Sequence, residues 1–204
     1  MINNRKEGNV FMASIGLRRF RYALMNEDGE TYGTVGTLAG AIECKVSLNI
    51  ANAKLNADDV TKENIDEFID GTITMGIDDD DDAKFSVLLG ESSENYTIGE
   101  GQEAKTIKVY KSNTDDVAKY FGFGQVVPKI IDGSRKFKVE WFPKVQFKPY
   151  VTDKKTKGDS LEFSTPSVEG TIFADNNKDW RKRATFDSEE DANTFLDSLF
   201  VQSA

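Results

Sequence analysis

Apolar and polar residues alternate one by one along much of this chain, and this period of two is the feature that most constrains its fold. Such alternation is typical of a strand that buries one face and exposes the other. It is longest in residues 135–148, and a second run covers residues 42–50. One side of the longer run is apolar and consists of Phe137, Val139, Trp141, Val145 and Phe147. The sequence therefore predicts a mainly β, antiparallel protein.

Turn signals connect these runs. Asp132-Gly133 predicts a hairpin between strands at residues 120–127 and 135–148, because both residues tolerate a positive φ angle. Pro143 lies inside the longer run and lacks an N–H, so it indicates either an edge strand or a bulge there. Further strands are predicted at residues 15–25, 73–77, 105–111, 161–165, 168–173 and 181–186.

Two segments have helical spacing instead. Residues 80–89 predict one short flanking helix that ends at Gly90. The better candidate follows the acidic residues 187–191, where Asp187 with Glu190, or Ser188 with Asp191, could form a capping pair. Its apolar stripe consists of Ala192, Phe195, Leu196, Leu199 and Phe200. This stripe predicts an amphipathic C-terminal helix that covers the sheet or a neighbouring subunit.

Three segments lack a clear period. Residues 1–13 form a polar N-terminal arm, residues 51–70 are expected to form a long loop, and residues 91–104 a flexible one. Loops of about twenty residues between strands are unusual and are commonly functional or disordered. Residues 51–70 carry the large apolar side chains Leu55, Val60, Ile65 and Phe68, which suggests contact with a partner. The predicted organisation is an arm at 1–13, a β-domain at 14–186 and a C-terminal helix at 187–204.

Composition excludes several functional classes. The chain has no His and one Cys, so it cannot hold a His-based triad, a His metal ligand or a Cys-rich metal site. The chain has 26 Lys and Arg and 35 Asp and Glu, which gives a net charge of -9. Proteins that bind the phosphates of DNA need a basic surface, so this balance argues against DNA binding. No apolar run reaches the roughly 20 residues of a membrane helix. The start of the chain lacks signal-peptide features, so synthesis as a soluble protein in the cytosol is expected.

No local motif indicates a catalytic, metal or phosphate site either. The run of aspartates at 78–82 could hold a hard cation, but it fits a helix N-terminus better. Residues 33–40 are rich in glycine without the ending of a phosphate-binding loop. Gly122 and Gly124 suggest close approach of another ring or backbone, and Cys44 suggests a buried apolar position. Paired carboxylates are abundant but none stands out. We therefore expect no enzyme activity, no cofactor and no metal. The basic patches at 154–159 and 181–183 are expected to pair with acidic surface of another copy.

The order of several short motifs resembles one family, the major tail proteins (tail tube proteins) of long non-contractile-tailed phages and prophages of Gram-positive bacteria. The resemblance extends over about residues 14–173, and no single motif is diagnostic. The motifs lie at residues 14–23, 32–34 with 38–41, 55–59, 71–74, 88–90, 120–124, 141–147, 156–163 and 165–166. The aspartate run at 78–82 and the helical C-terminus depart from the family pattern.

This resemblance implies a β-sandwich of the tail-tube type and a structural virion protein. Subunits would form hexameric rings that stack into a tube, made in the host cytoplasm and incorporated in the phage tail. DNA would pass through the lumen without specific binding, and tape-measure, tail-terminator and distal tail proteins would be partners. The apolar residues Leu55, Val60, Ile65 and Phe68 are then expected to make contacts between rings. The alternative is a carbohydrate- or surface-binding, adhesin-like β-sandwich that uses Trp141, Phe142 and Tyr150 as an aromatic platform.

Overall fold

A computed structural model describes residues 12–57, 60–149 and 165–201, without the side chains of residues 12–13, 55–57, 60–63 and 102. The strands are β1 (Met12–Ser14), β2 (Arg18–Leu24), β3 (Gly36–Thr37), β4 (Ala41–Ala57), β5 (Val60–Ile77), β6 (Ser92–Ile98), β7 (Lys105–Lys111), β8 (Tyr120–Ile131), β9 (Ser134–Phe147), β10 (Ser167–Phe173) and β11 (Lys182–Phe186). The helices are α1 (Asp82–Leu89) and α2 (Glu189–Ser198), and a 3-10 turn covers Gly101–Glu103.

Nine of these strands form one antiparallel sheet. Its order is β3-β2-β8-β9-β10-β5-β4, with β1 added beside β8 and β11 added beside β9. The strands β6 and β7 form a separate two-stranded hairpin. The prediction of a mainly β, antiparallel, sandwich-like protein with two helices is therefore confirmed.

The larger core lies between the two halves of the sheet. It is aromatic on the side of β2, β8 and β9, and aliphatic on the side of β5 and β10, with α1 closing one end. Its fully buried members include Phe20, Ile73, Met75, Ile77, Leu88, Phe121, Phe123, Phe142, Val145, Phe147, Val168 and Ile172. Asp81 caps the start of α1, since its carboxylate accepts a hydrogen bond from the Ala83 N–H, and Gly90 with φ of 75° caps its end. Both ends of this helix agree with the sequence.

A second core lies on the other face of the sheet, beneath α2. Ser188 caps this helix through its hydroxyl oxygen, which accepts a hydrogen bond of 3.0 Å from the Asp191 N–H. The buried stripe then packs on the sheet, so of the two expected coverings it is the sheet that α2 meets. The buried members are Ala23, Val126, Phe137, Val139, Trp141, Ala192, Leu196 and Phe200. A Cβ atom at Gly122 would lie 2.3 Å from Trp141, and one at Gly124 would lie 2.3 Å from Leu196. These glycines therefore permit the predicted close approach.

A bulge at Pro143 divides β9 between the two cores. Phe121 pairs with Val145 and Phe123 with Phe142, so two residues of β9 face one of β8 at this point. Because an inserted residue reverses the alternation, Val145 faces the larger core while Trp141 faces α2. The prediction that all the apolar residues of this run share one side is wrong. Of the two interpretations of Pro143, the bulge is confirmed and the edge strand is not, since β9 has partners on both sides.

The predicted turn at Asp132-Gly133 is confirmed. Both residues have positive φ, at 50° and 75°, and they connect the paired residues Ile131 and Ser134. This geometry fits a two-residue hairpin that follows the right-handed twist of the strands.

Two predicted loops are strands. Residues 51–57 belong to β4, residues 60–70 belong to β5, and residues 92–98 form β6. Apart from Phe68 and Asp70, the described side chains of both segments are exposed on either face, so burial imposes no period of two on their sequence. Of the predicted N-terminal arm, residues 12 and 13 are in β1 and the rest lies outside the described residues. The strand expected at 161–165 also lies almost entirely outside them.

Candidate functional site

The hairpin of β4 and β5 extends well beyond the sheet to which it belongs. The strand β10 pairs with β5 only between Gly71 and Gly76, whereas β4 and β5 pair with each other from Ala41 to Val60. The outer part of the hairpin, from Asn49 of β4 to Asp70 of β5, therefore has no third strand beside it among the described residues. We call this part the projecting hairpin. Two-stranded ribbons are only marginally stable alone in water, so this one depends on its root in the sheet or on a further partner.

Apolar side chains of the projecting hairpin are exposed to solvent. Ile65 is 55% exposed, Ile69 is 53% exposed and Ile50 is 47% exposed. A bulge after Asn49 places Ile69 outside the pairing, while Ile65 lies opposite Ala53. Exposed β-branched residues on an unpaired ribbon are typical of a surface that is buried in a complex. The projecting hairpin is thus the part of the described chain that most needs a partner.

The four residues predicted to contact another ring are distributed over this hairpin. Ile65 is exposed and lies opposite Ala53, near the middle of the hairpin. Phe68 is half-buried, and its ring stacks on that of Trp180 at a centroid distance of 4.7 Å and an angle of 9°. Part of the Phe68 ring is therefore occupied within the chain. Leu55 and Val60 lie in β4 and β5 at the outer end, and their side chains are outside the described set.

The long strand β4 is also an edge of the sheet. Over Ala41–Ala57 it pairs with β5 on one side, and no other described strand pairs with its second side. A free row of N–H and C=O groups of this length is a template for another strand. The hairpin of β6 and β7 adds a smaller apolar surface at Tyr96, Ile98 and Ile107, each exposed by 44% or more.

The aromatic platform required by the carbohydrate-binding alternative is not formed. Trp141 and Phe142 are fully buried, one in each core, because both faces of β9 are covered at the bulge. Tyr150 lies outside the described residues. A sugar cannot stack on buried rings, so the residues named for this alternative do not support it.

The aspartate run at 78–82 is organised by backbone contacts. Asp78 accepts a 2.6 Å hydrogen bond from the Gly40 N–H, and Asp81 caps α1. This agrees with the helix-terminus interpretation. Within residues 12–57, 60–149 and 165–201, no group of three or more Cys, Asp or Glu side chains has the geometry to hold a metal ion.

Sequence reasoning missed a polar cluster between the start of β4 and the strands β8 and β9. A cleft of about 410 Å³ is bordered here by Leu17, Ile42, Cys44, Gln125, Lys129 and Glu140, among others. Gln125 is only 3% exposed and donates a 3.0 Å hydrogen bond to Glu140, while its own oxygen has no partner among the described groups. The Lys129, Lys138 and Glu140 side chains were visible in the sequence only as the polar side of strands.

The electrostatics of this cluster are set by burial and by Lys138. Burial opposes ionisation of Glu140, but hydrogen bonds from Lys138 and Gln125 and the charges of Lys138 and Arg181 outweigh it. The pKa of this carboxyl is therefore lowered. Burial raises the pKa of the Cys44 thiol to about 12, so this thiol stays protonated and is a poor nucleophile at neutral pH. This environment keeps the Glu140 carboxylate ionised and paired with Lys138, and it does not activate the Cys44 thiol as a nucleophile.

Comparisons with known proteins add no assignment. No model of a known protein family matches this chain, and no curated protein matches it either. Within the described ranges, no helix has both the length and the apolar composition that a bilayer crossing requires. The features that bear on function are therefore the projecting hairpin, the free edge of β4 and the charged cleft beside it.

Proposed function

We propose that this chain is a structural protein that assembles with copies of itself into stacked rings, as the tail tube of a phage does, and that it catalyses no reaction. The observation that carries the proposal is the projecting hairpin, a two-stranded ribbon with exposed Ile50, Ile65 and Ile69 and no further partner among the described strands. No described part of the chain covers these side chains, and the proposal assigns that role to another molecule. A second copy of the chain is the simplest partner for a protein whose motif order resembles that of tail tube proteins.

The free edge of β4 supports the same proposal. Joining strand edges between neighbouring subunits closes a ring of sheets and removes the exposed edges that favour disordered aggregation. In this proposal β4 provides the contact within a ring, and the projecting hairpin provides the contact between rings. The virion tail is then the location, the other tail proteins are partners, and DNA passes through the tube without specific binding.

Shortening the hairpin tests the proposal. Ala51 and Glu67 are cross-strand partners, so replacing residues 52–66 by Asn-Gly closes the hairpin without changing the register of the sheet. We expect a folded monomer with an unchanged circular dichroism spectrum that forms no rings or tubes in electron micrographs of concentrated protein. Tubes of normal appearance from the shortened chain would refute the assignment.

Point substitutions separate apolar contact from hairpin length. Ile65→Asp with Ile69→Asp changes only the exposed side chains of the hairpin. The matched control is Val117→Asp with Val201→Asp, since Val117 is 73% exposed, Val201 is 71% exposed and both lie outside the hairpin. We expect assembly to be lost in the first variant and kept in the control. Equal assembly of both would mean that the hairpin side chains make no contact between subunits.

A further inference from the structure

One face of the β8–β9–β11 region is basic and only partly covered, because β4 borders it at the cleft beside Gln125 and Glu140 whereas Arg183 is exposed. Val139 and Trp141 point from β9 into the core beneath α2, so Lys136, Lys138 and Glu140 point the other way. The strand pairing puts Lys129 beside Lys136 and Arg183 beside Glu140 on this same face. The larger core has no member from this part of β8 and β9. We call the surface formed by Lys129, Lys136, Lys138, Arg181 and Arg183 the basic face.

The cations of the basic face are only partly neutralised. Lys136 pairs with Asp187 and Lys138 pairs with Glu140. Lys129 and Arg183 have no carboxylate partner among the described residues. Glu43, from β4, borders the same cleft. Burial, and to a smaller extent the neighbouring Arg183 charge, lowers the pKa of Arg181, while Glu140 acts in the opposite direction.

The rest of the chain has the opposite charge. The net charge is -9, and its densest acidic segment is the aspartate run at 78–82. Asp78 and Asp81 are fixed by Gly40 and by the start of α1, which holds the segment in one conformation. Asp79 and Asp82 are exposed and form no ion pair within the described part of the chain. Within the described residues these two aspartates form no ion pair with the basic face, so a second molecule is the partner that would bring the two surfaces together.

We propose that the basic face binds the aspartate run at 78–82 of a second copy of this chain. This inference rests on the proposed self-assembly and names one pair of surfaces that take part in it. A second copy fits better than a nucleic acid, because the face offers too few unpaired cations for a row of phosphates, whereas the aspartate run presents a short acidic segment of matching size. Ion pairs of this kind fix the relative position of two subunits and speed their encounter, while apolar surfaces hold the subunits together.

Charge exchange between two variants tests the proposal. The first variant is Lys129→Glu with Arg183→Glu, and the second is Asp79→Lys with Asp82→Lys. The control, Lys105→Glu with Lys119→Glu, makes the same change of charge at exposed positions elsewhere. Self-association is measured by sedimentation velocity at low and high salt. We expect each variant to associate at least about tenfold more weakly at low salt, since a few surface ion pairs together are worth about one decade in affinity. A mixture of the two variants should recover wild-type association, and the control should match the wild type.

A disulfide trap tests the contact independently of tube formation. A copy with Arg183→Cys is mixed with one carrying Asp79→Cys under mild oxidation, while the half-buried Cys44 serves as the unreactive background. We expect a covalent dimer that contains one copy of each variant and that high salt suppresses. This dimer without any rings or tubes would support the contact and count against the tail-tube assignment. Rings and tubes without the dimer, and without an effect of charge reversal, would overturn the contact and leave the assignment standing. Binding of a labelled DNA duplex that the first variant loses, with no dimer, would also overturn it.

Discussion

The packing of α2 over Gly124 makes a prediction that can be worked out in detail. Leu196 is fully buried, and its Cδ1 atom would lie 2.3 Å from a Cβ added at Gly124. The next nearest side chain, Trp141, would lie 3.2 Å away. Gly124→Ala therefore forces a methyl group into Leu196 and should lower the free energy of unfolding by about 1–2 kcal/mol. Leu196→Ala leaves a cavity and should lower the free energy of unfolding by about 3 kcal/mol.

The double variant should lose less stability than the sum of these effects. Leu196→Ala removes the clashing atom, and the new methyl at residue 124 then occupies part of the space that Leu196 leaves. We expect a favourable coupling of about 1–2 kcal/mol in the double-mutant cycle. Urea unfolding followed by circular dichroism and by tryptophan fluorescence gives the four free energies.

A second cycle provides the control. Gly170 is also in a crowded strand position, against Val145 and Phe147, but it belongs to the larger core away from α2. Gly170→Ala combined with Leu196→Ala should be additive within about 0.5 kcal/mol. Additivity in the Gly124 cycle as well would refute the packing of α2 against this glycine.

Three further predictions concern charges and the thiol. Asp197 accepts hydrogen bonds from Arg19 at 2.7 Å and Arg21 at 3.1 Å, so Asp197→Asn should lower the free energy of unfolding by about 1 kcal/mol in urea titrations; an unchanged midpoint would contradict this. Because the folded-state pKa of Glu140 is lowered, its contribution is complete above the ordinary value of 4.5 and is lost as pH falls through the folded pKa. Glu140→Gln should therefore be less stable than wild type at neutral pH, with a difference that fades below about pH 4; a constant difference in urea titrations across pH would count against it. With its pKa raised to about 12, Cys44 should react with a disulfide reagent at pH 8 at least about 100-fold more slowly in the folded than in the unfolded chain; equal rates would exclude the burial described.

The sequence indicates strands well where one face is buried. The hairpin of β8 and β9 was predictable because burial makes apolar residues alternate and because Asp132-Gly133 fits only a tight turn. The helix α2 was predictable because its stripe has helical spacing. The alternation cannot show where a bulge reverses it, so the division of β9 between two cores had to come from the structure.

The candidate surfaces were only partly predictable, for a related reason. Apart from Phe68 and Asp70, the described side chains of the projecting hairpin are exposed on both faces, so its sequence lacks the alternation that identifies a strand. The scattered apolar residues did indicate contact with a partner, but Phe68 turned out to be stacked on Trp180. The basic face required the pairing of β8 with β9 and of β9 with β11, which no local pattern contains.

The bulge at Pro143 has a consequence for how the protein unfolds. The strand β9 supplies Trp141 to one hydrophobic interior and Val145 and Phe147 to the other, so both interiors depend on it. Neither interior can lose this strand while the other remains intact. The two regions should therefore melt together as one cooperative unit, despite lying on opposite sides of the sheet.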